Sequence, residues 1–190
     1  QMCIRDSKYI VSQNYMLSLK MSVQKSCKTD WATPWTLFRQ WDTLQGPFTL
    51  DVCATAENAK CGHFFSPKDD GLSQNWSGVC WMNPPYGRAI SHWIAKAVVE
   101  VNTAGVRRVV CLLPARTDTA WWHTFVIPHG AVRFLRGRIR FEGAAHPAPF
   151  PSAIVVFNNP SLQFLRDTRP NLAPPDGLLR KSHVREIVDS

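Results

Sequence analysis

The sequence predicts an α/β fold built on a mostly parallel sheet. Apolar runs typical of buried strands alternate along the chain with stretches whose apolar residues recur at helical spacing. Residues 109–114 are apolar throughout, which is typical of a parallel strand covered on both faces. A second apolar run, residues 79–82, stops at Asn83-Pro84-Pro85-Tyr86, because prolines cannot donate hydrogen bonds to a neighbouring strand. In open α/β sheets, ligands bind at such carboxyl ends of strands.

The first predicted element is a helix that begins at Pro34. Thr33 is a favourable N-cap residue, and Pro34 is favoured at the first helical position. Gly46-Pro47 is expected to end the helix. The apolar residues between these signals recur at helical spacing: Leu37, Phe38, Trp41 and Leu44.

Residues 48–54 are predicted to form the first strand. Asp51 interrupts this apolar run, and a buried carboxylate needs hydrogen-bond donors such as the backbone amides of the following turn. We then expect a short helix over residues 55–60, a short strand over 63–65 and a turn at 69–72.

The later part of the chain continues the alternation of helices and strands. The elements predicted there are a helix over residues 90–101, the strand 109–114, a helix over 119–127 capped by Asp118, a strand-turn-strand unit over 131–141 around Gly137, a last buried strand over 152–157 and a short helix over 178–188. Prolines stiffen the loop of residues 146–151, which is placed to close over a site.

The turn after residues 79–82 has a specific chemistry. The side-chain amide of Asn83 can accept a hydrogen bond from an exocyclic amine, and the proline-stiffened backbone offers a second acceptor. The ring of Tyr86 offers a flat face to a planar group. These groups suit an amino group on a flat heterocycle or an amide, whereas a proline-rich turn without function is the alternative interpretation.

The tetrapeptide resembles the catalytic motif of S-adenosylmethionine-dependent methyltransferases that act on amino groups. That motif is shared by DNA N6-adenine, some DNA N4-cytosine and protein glutamine methyltransferases. The segments around it are similar, in order, to those of the phage-type DNA N6-adenine methyltransferases over about residues 30–158. They are Trp31-Ala-Thr-Pro34, Phe48-Thr-Leu-Asp51-Val-Cys-Ala54, Glu57-Asn-Ala-Lys-Cys61, Asp69-Asp-Gly-Leu72, Leu113-Pro-Ala-Arg-Thr-Asp118 and Arg136-Gly-Arg-Ile-Arg-Phe141.

This resemblance implies a class I methyltransferase fold, which is Rossmann-like and three-layered, with an antiparallel last strand. It implies S-adenosylmethionine as the cofactor, S-adenosylhomocysteine as its product and DNA as the partner. The implied catalytic residues are Asn83, Pro84, Pro85 and Tyr86. The implied cofactor-binding residues are Trp31, Thr33, Pro34, Asp51, Ala54, Asp70 and Leu72. A structural cap at Asp51 and a plain Asp-Gly turn at Asp70 are the alternatives.

A DNA-reading element is expected within residues 115–150, because the cofactor and catalytic motifs lie too close together to hold one between them. Arginine pairs bidentately with phosphate or guanine, and an exposed tryptophan can stack on a base. The candidate DNA-binding residues are Arg116, Trp121, Trp122, Arg133, Arg136, Arg138 and Arg140. Trp121 and Trp122 are adjacent, so one can lie in the core while the other is exposed. An ordinary solvated strand face is the alternative for the arginines.

Length and composition are consistent with this function. The 190 residues suit one domain, and the net charge of +8 suits a polyanionic substrate. Cys61-x-His63 lacks a second ligand pair, so no metal site is predicted, and the scattered cysteines fit a reducing cytosol. No apolar run is long enough for a membrane span, and a monomer is the default expectation.

We divide the chain into a leader over residues 1–29, a methyltransferase domain over 30–158 and a proline-rich tail over 159–190. The leader is expected to be disordered or non-native, because its first seven residues resemble a translated sequencing-adaptor scar, with Met16 or Met21 as the true start. Methylation of cytosine N4 or of a protein glutamine, and an inactive nucleic-acid-binding module of the same fold, remain the alternatives. The arginines argue against the glutamine substrate, and the intact tetrapeptide argues against the inactive module.

Overall fold

A computed structural model of the protein describes residues 31–103 and 105–160, which form one mixed sheet with helices. Its elements are α1 (Trp35–Gln45), β1 (Leu50–Asp51), β2 (Gly78–Met82), α2 (Ile90–Glu100), β3 (Val106–Pro114), a π-helix (Trp122–Val126), α3 (Ile127–His129), β4 (Ala131–Phe134) and β5 (Ser152–Asn158). The leader over residues 1–29 and the helix over 178–188 lie outside the described residues, as does all but the start of the tail.

The five strands lie in the order β1-β2-β3-β5-β4. β1, β2 and β3 are parallel, whereas β5 is antiparallel to both β3 and β4. The predicted α/β fold with a mostly parallel sheet is therefore confirmed, and the last described strand is antiparallel as expected. Because β5 is the only described strand that is reversed, the carboxyl ends of the other four point to one edge of the sheet. We call it the carboxyl edge.

The core lies around β3, in the middle of the sheet. Val109 and Leu113 of β3 are fully buried, as the continuous apolar run predicted. The strand begins three residues earlier than predicted, at Val106. The helix predicted over residues 90–101 is confirmed as α2, and Ile94 and Ala97 on its apolar stripe are fully buried in the core. Helix α1 packs in the same core, where the Phe38 ring lies 5.4 Å from the Trp81 ring, centroid to centroid.

The start of α1 differs from the prediction. The N-cap position is Pro34 and makes no side-chain hydrogen bond, so Thr33 does not cap the helix. The backbone N–H of Trp35 instead donates to Glu142 Oε1 at 3.1 Å, across 107 residues of sequence. Leu44, predicted for the apolar stripe, is 58% exposed because the core does not extend to the last turn of α1. Local helix signals cannot foresee a cap that tertiary structure supplies.

The predicted helix over residues 55–60 is wrong, and the segment forms turns. The backbone N–H of Thr55 donates to Asn58 Oδ1 at 2.7 Å, and the N–H of Ala59 donates to the Thr55 carbonyl at 2.9 Å. An asparagine side chain that bonds nearby backbone competes with helix formation in this way. The strand predicted over 63–65 is reduced to a single parallel bridge between Phe64 and Asp51.

Two further predictions fail in the segment between β3 and β5. Asp118 makes no cap at the π-helix, which begins after a turn closed by Thr119 Oγ1 donating to the Arg116 carbonyl at 2.7 Å. The turn at Gly137 is confirmed by its φ of 79°, but the chain beyond it forms no strand, and β4 pairs with β5 instead. In this segment the Ile139 carbonyl accepts a hydrogen bond from the Ala148 N–H in a loop, and not from a neighbouring strand. No helix in the described ranges is long and apolar enough to cross a membrane.

A buried ion pair within α2 was not foreseen. Lys96 Nζ lies 2.7 Å from Glu100 Oε1, and both side chains are buried. Lys96 Nζ also lies 5.3 Å from the centroid of the Trp76 ring, and Glu100 Oε2 accepts from the Trp76 backbone N–H at 3.4 Å. Each charge therefore depends on the other for compensation, because desolvation of an unpaired ion is costly.

Removal of one partner of this pair should destabilise the protein strongly. We expect Lys96→Met to lower the free energy of unfolding by about 3–5 kcal/mol, because Glu100 is left buried and uncompensated. The double variant Lys96→Met/Glu100→Leu should recover most of that loss, and the exposed Lys68→Met serves as the control. Urea unfolding measures all three. A single variant as stable as the control would show that the pair is solvated.

Candidate active site

Asn83 lies directly after β2, at the carboxyl edge, with its side chain held by the loop of residues 31–34. Asn83 Nδ2 donates to the backbone carbonyl of Trp31 and to Thr33 Oγ1, the latter at 3.0 Å. A carbonyl oxygen can only accept, so the amide nitrogen must face this loop. Asn83 Oδ1 therefore points the other way, and it is buried with no hydrogen-bond partner among the described residues.

An unpaired buried acceptor is costly, at about 1–3 kcal/mol. Such a group in a folded protein calls for an explanation, and a ligand donor is one of them. The two prolines follow Asn83 directly, Pro84 buried and Pro85 exposed, so the backbone here has few free N–H groups. The two prolines thus leave carbonyl acceptors in this turn without matching N–H donors.

Tyr86 lies deeper in the protein than its predicted stacking role suggested. The residue is 6% exposed, and its hydroxyl donates to the Leu112 carbonyl of β3 at 3.2 Å. Its ring meets those of Phe141 and Phe150 edge-on, with centroids 6.2 and 5.5 Å away. Burial raises the pKa of the Tyr86 hydroxyl well above its ordinary value, so the side chain stays neutral. Most of the ring is therefore covered by other aromatic side chains.

An aromatic cluster stands beside Asn83. The Trp31 ring lies 5.1 Å from Phe141 and 5.4 Å from Phe150, the latter edge-on. Phe150 belongs to the proline-rich loop predicted to close over a site, and its place beside Trp31 and Tyr86 agrees with that expectation. Phe141 is fully buried and was not singled out from the sequence as a wall of the site. The sequence feature that could have pointed to Phe141 is its position as an aromatic residue at the end of an otherwise basic segment.

Asp51 lies at the end of β1, the strand next to β2. Its Oδ2 accepts from the Lys60 backbone N–H at 3.1 Å and its Oδ1 from the Cys53 N–H at 3.4 Å, so the predicted backbone donors are present. The residue is only 3% exposed. Burial raises the pKa of Asp51 to about 6, against the opposing effect of these hydrogen bonds and of the Lys60 charge. Asp51 and Trp81 are partners in register, which places Asp51 at the same edge as Asn83.

Lys60 and Glu142 were not predicted to belong to the site, yet together they hold the loop of residues 31–34 in place. Lys60 Nζ lies 2.8 Å from Glu142 Oε2 and 4.2 Å from the centroid of the Trp35 ring. Glu142 Oε1 accepts from the Trp35 N–H, and the Glu142 N–H donates to the Ala32 carbonyl at 2.9 Å. Through these contacts Lys60 connects two segments: the turn whose backbone amides bind Asp51, and the loop of residues 31–34, which binds Asn83.

The turn of residues 69–72 packs against the end of β1. A Cβ at Gly71 would lie 2.2 Å from the Val52 carbonyl oxygen, so only glycine allows this close approach. The Asp69 carboxylate is used within the turn, where it accepts from the Ser66 N–H and hydroxyl, and these bonds lower its pKa. Asp70 is exposed and has a φ of 51°. The backbone carbonyl of Asp70 accepts from the Ser73 N–H and hydroxyl, both at 2.8 Å, whereas its carboxylate makes no hydrogen bond among the described residues.

The remaining predicted cofactor residues lie near this turn and the loop. Ala54 is buried and donates its N–H to the Phe65 carbonyl at 3.0 Å, while Leu72 and Pro34 are half-buried. Across residues 31–103 and 105–160, no group of three or more His, Cys, Asp or Glu side chains is arranged to hold a metal ion.

The predicted DNA-binding residues lie after β3 and around β4. All five arginines are exposed, at positions Arg116, Arg133, Arg136, Arg138 and Arg140. Trp122 is buried in the core and Trp121 is half-buried, so only Trp121 retains a surface for base stacking. Phe134, which was not predicted as a contact residue, is 65% exposed at the carboxyl end of β4 and stacks on Trp122 with centroids 6.3 Å apart. Its signal was an aromatic residue directly after Arg133.

Comparison with known proteins places these features in a family. A family model described as DNA N-6-adenine-methyltransferase (Dam) matches residues 20–168. The DNA N-6-adenine-methyltransferase of Haemophilus phage HP1 (strain HP1c1) is 35% identical over 107 residues, which is 54% of this chain and 60% of the phage protein. The Escherichia coli (strain K12) protein YfdM, a methyltransferase by name, is 36% identical over 69 residues, which is 33% of this chain and 76% of YfdM. The chain thus spans less than two thirds of the phage relative, and it belongs to the DNA N-6-adenine-methyltransferase family.

Proposed function

We propose that this protein methylates the N6 amino group of adenine in DNA, with S-adenosylmethionine as the methyl donor. The observation that carries the proposal is the buried, unpaired Oδ1 of Asn83 at the carboxyl edge of the sheet. An amino group on a flat ring is a donor that satisfies this atom. The membership of the family and the exposed arginines support adenine in DNA as the source of that amino group. We place this activity in the cytoplasm, which for a phage-encoded protein is that of the bacterial host.

We further assign the described sheet to the class I methyltransferase fold with three layers. The support for this assignment is the antiparallel β5, inserted between the parallel strands β3 and β4. The motifs assigned to cofactor and substrate then follow neighbouring parallel strands, β1 and β2. Ligand sites in open α/β sheets lie at the carboxyl ends of such strands.

In this proposal, Asn83 and Pro84 hold the substrate amine. Adenine must leave the duplex to reach the site, as in other enzymes that act on a base. One N6 hydrogen is donated to Asn83 Oδ1 and the other to the Pro84 carbonyl. These hydrogen bonds fix the orientation of the amine and direct its lone pair outward, so the protein contributes positioning and electrostatics. Tyr86 and Pro85 shape the wall of the site, and the neutral Tyr86 does not serve as a base.

The residues at the end of β1 fit the cofactor. S-adenosylmethionine, when bound, supplies an electrophilic methyl carbon. Asp51 is a buried carboxylate that lacks a full countercharge, and a ligand ammonium provides one. We assign the amino-acid part of the cofactor to Asp51 and Ala54, and its ring to Asp70 and Leu72. The loop residues Trp31, Thr33 and Pro34 border the same site.

We assign DNA contact to the surface formed by Arg116, Trp121, β4 and the arginines that follow it. Exposed arginines contact phosphates and supply affinity that depends on salt. Trp121 and the exposed ring of Phe134 offer apolar faces among these charges, and such faces stack on bases in nucleic-acid-binding proteins. Because Phe134 ends β4, it lies at the same edge of the sheet as Asn83.

The nature of the product tests the proposed function. We expect the wild-type protein to convert adenine in duplex DNA to N6-methyladenine, and Asn83→Ala to lose this activity while it retains cofactor binding. Digestion of the DNA to nucleosides with mass detection identifies the product, and calorimetry measures cofactor affinity. Asn102→Ala, which changes an exposed asparagine in the turn that follows α2, is the control. N4-methylcytosine as the main product, or full activity of Asn83→Ala, would contradict the proposal.

Cofactor affinity should depend on the ionisation of Asp51. Its folded-state pKa of about 6 exceeds the ordinary value of 3.8, so the folded protein retains this proton as pH rises, and stability from this group is lost between pH 3.8 and 6. A cationic ligand prefers the ionised form, so we expect affinity to fall up to about tenfold per unit below pH 6. Calorimetry from pH 5 to 7.5 measures the affinity for the cofactor at each pH.

Asp51→Asn is the matched variant for this titration. We expect its affinity for the cofactor to be weaker by roughly 1–3 kcal/mol at pH 7.5, because a charge-assisted hydrogen bond is lost. We also expect the affinity of Asp51→Asn for the cofactor to be independent of pH over this range. A variant with the same pH profile as the wild-type protein would return Asp51 to a structural role.

The arginines after β4 should set the salt dependence of DNA binding. We expect the triple variant Arg136→Gln/Arg138→Gln/Arg140→Gln to bind duplex DNA more weakly, with the log–log salt slope reduced by about 0.9 for each lost phosphate contact. Phe134→Ala removes no charge and should weaken binding with the slope unchanged. Fluorescence anisotropy across salt concentrations measures both, with the exposed Arg107→Gln at the amino end of β3 as the control. An unaltered slope in the triple variant would place this segment away from DNA.

A further inference from the structure

We propose that the Trp31 carbonyl and the Thr33 hydroxyl are positioning groups that orient the Asn83 amide, and that they make asparagine, rather than aspartate, the working residue at position 83. This inference rests on the proposed function, because it concerns how the substrate amine is held. It also gives Thr33 a role toward the substrate side of the site, in addition to any contact with the cofactor.

Both acceptors face the same nitrogen. Asn83 Nδ2 carries two protons, and the Trp31 carbonyl and Thr33 Oγ1 accept one each. Rotation of the amide by 180° would place Oδ1 against the Trp31 carbonyl oxygen, with no proton between two acceptors. That orientation loses a hydrogen bond and adds repulsion, so Oδ1 is held away from the loop, where it lacks a protein partner. The loop thus decides which atom of the amide meets the substrate.

The loop itself is held firmly on both sides of Thr33. On one side the Ala32 carbonyl accepts from the Glu142 N–H at 2.9 Å, and on the other the Trp35 N–H donates to Glu142 Oε1 at 3.1 Å. Thr33 between them is 3% exposed. Its hydroxyl does not cap α1, although the sequence favours that use, so the side chain is available to Asn83. Rigid positioning of this kind is what a catalytic side chain requires.

An aspartate at position 83 would not fit this surrounding. A carboxylate has no proton to donate, so one of its oxygens would face the Trp31 carbonyl oxygen. The Thr33 hydroxyl can rotate to donate, but the carbonyl cannot. Only the protonated acid could donate to Trp31 and still present a free oxygen to the substrate amine. The activity of an Asn83→Asp variant, relative to the wild-type protein, should therefore rise as pH falls.

The first experiment separates positioning from simple packing. Thr33→Val keeps the shape and removes the acceptor, whereas Thr33→Ser keeps the acceptor and removes a methyl group. We expect Thr33→Val to lower kcat about tenfold, which corresponds to one lost hydrogen bond. Thr33→Ser should retain most of the wild-type kcat. Equal losses in both variants, or no loss in Thr33→Val, would overturn the inference.

The second experiment follows the ratio of Asn83→Asp to wild-type turnover from pH 5 to 8. We expect the ratio to rise toward acid pH, and a ratio that is flat or falls would overturn the inference.

A third experiment does not depend on activity: NMR measures the rate of proton exchange of the Asn83 side-chain amide. We expect slow exchange in the wild-type protein and faster exchange in Thr33→Val. If the wild-type protein methylates no adenine but this difference is present, the proposed function fails while the amide orientation stands; equal exchange rates would overturn the orientation itself.

Discussion

The hydrogen bonds between the Asn83 amide and the loop of residues 31–34 are the constraint on which the candidate site depends. They join the end of β2 to the chain just before α1, about fifty residues earlier. The Trp31 ring, placed by the same loop, packs on Phe141 and Phe150, which in turn cover Tyr86. The loop of residues 31–34 therefore both orients the polar group of the motif and contributes the Trp31 ring to the aromatic cluster beside it. Loss of the loop would disturb both.

Asp51 and Lys60 are the buried charged residues near this constraint, and the charge of Asp51 is only partly compensated. Asp51 is held by backbone amides, and burial still raises its pKa to about 6. Lys60 lies nearby but its ammonium is committed to Glu142, which holds the loop. Ionisation of Asp51 therefore remains unfavourable in the protein alone, and a cationic ligand beside it would make ionisation more favourable. A site that is destabilised until its ligand binds is a common feature of functional regions.

The topology of the sheet brings three kinds of group to one edge. β1, β2, β3 and β4 all point the same way, so Asp51, Asn83, Arg116 and Phe134 follow or end strands at the carboxyl edge. A buried carboxylate, an amide acceptor and a basic, partly aromatic surface therefore follow one another across the sheet. This is the order that the proposed cofactor, base and DNA sites require. The antiparallel β5 separates β3 from β4 and so widens the edge on the basic side.

The sequence by itself determined the features that depend on neighbouring residues. The strands of residues 79–82, 109–114 and 152–157 and the stripe of α2 all follow from local periodicity, and the end of β2 follows from two prolines. Only the tertiary structure decided which groups those elements bring together. The Thr33 hydroxyl accepts from Asn83 and does not cap α1, whereas Glu142 caps α1 from 107 residues away. Residues 138–141 do not form a strand, because β5 takes the place beside β4. Each of these outcomes depends on a hydrogen-bond partner distant in sequence, and local propensity carries no information about such partners.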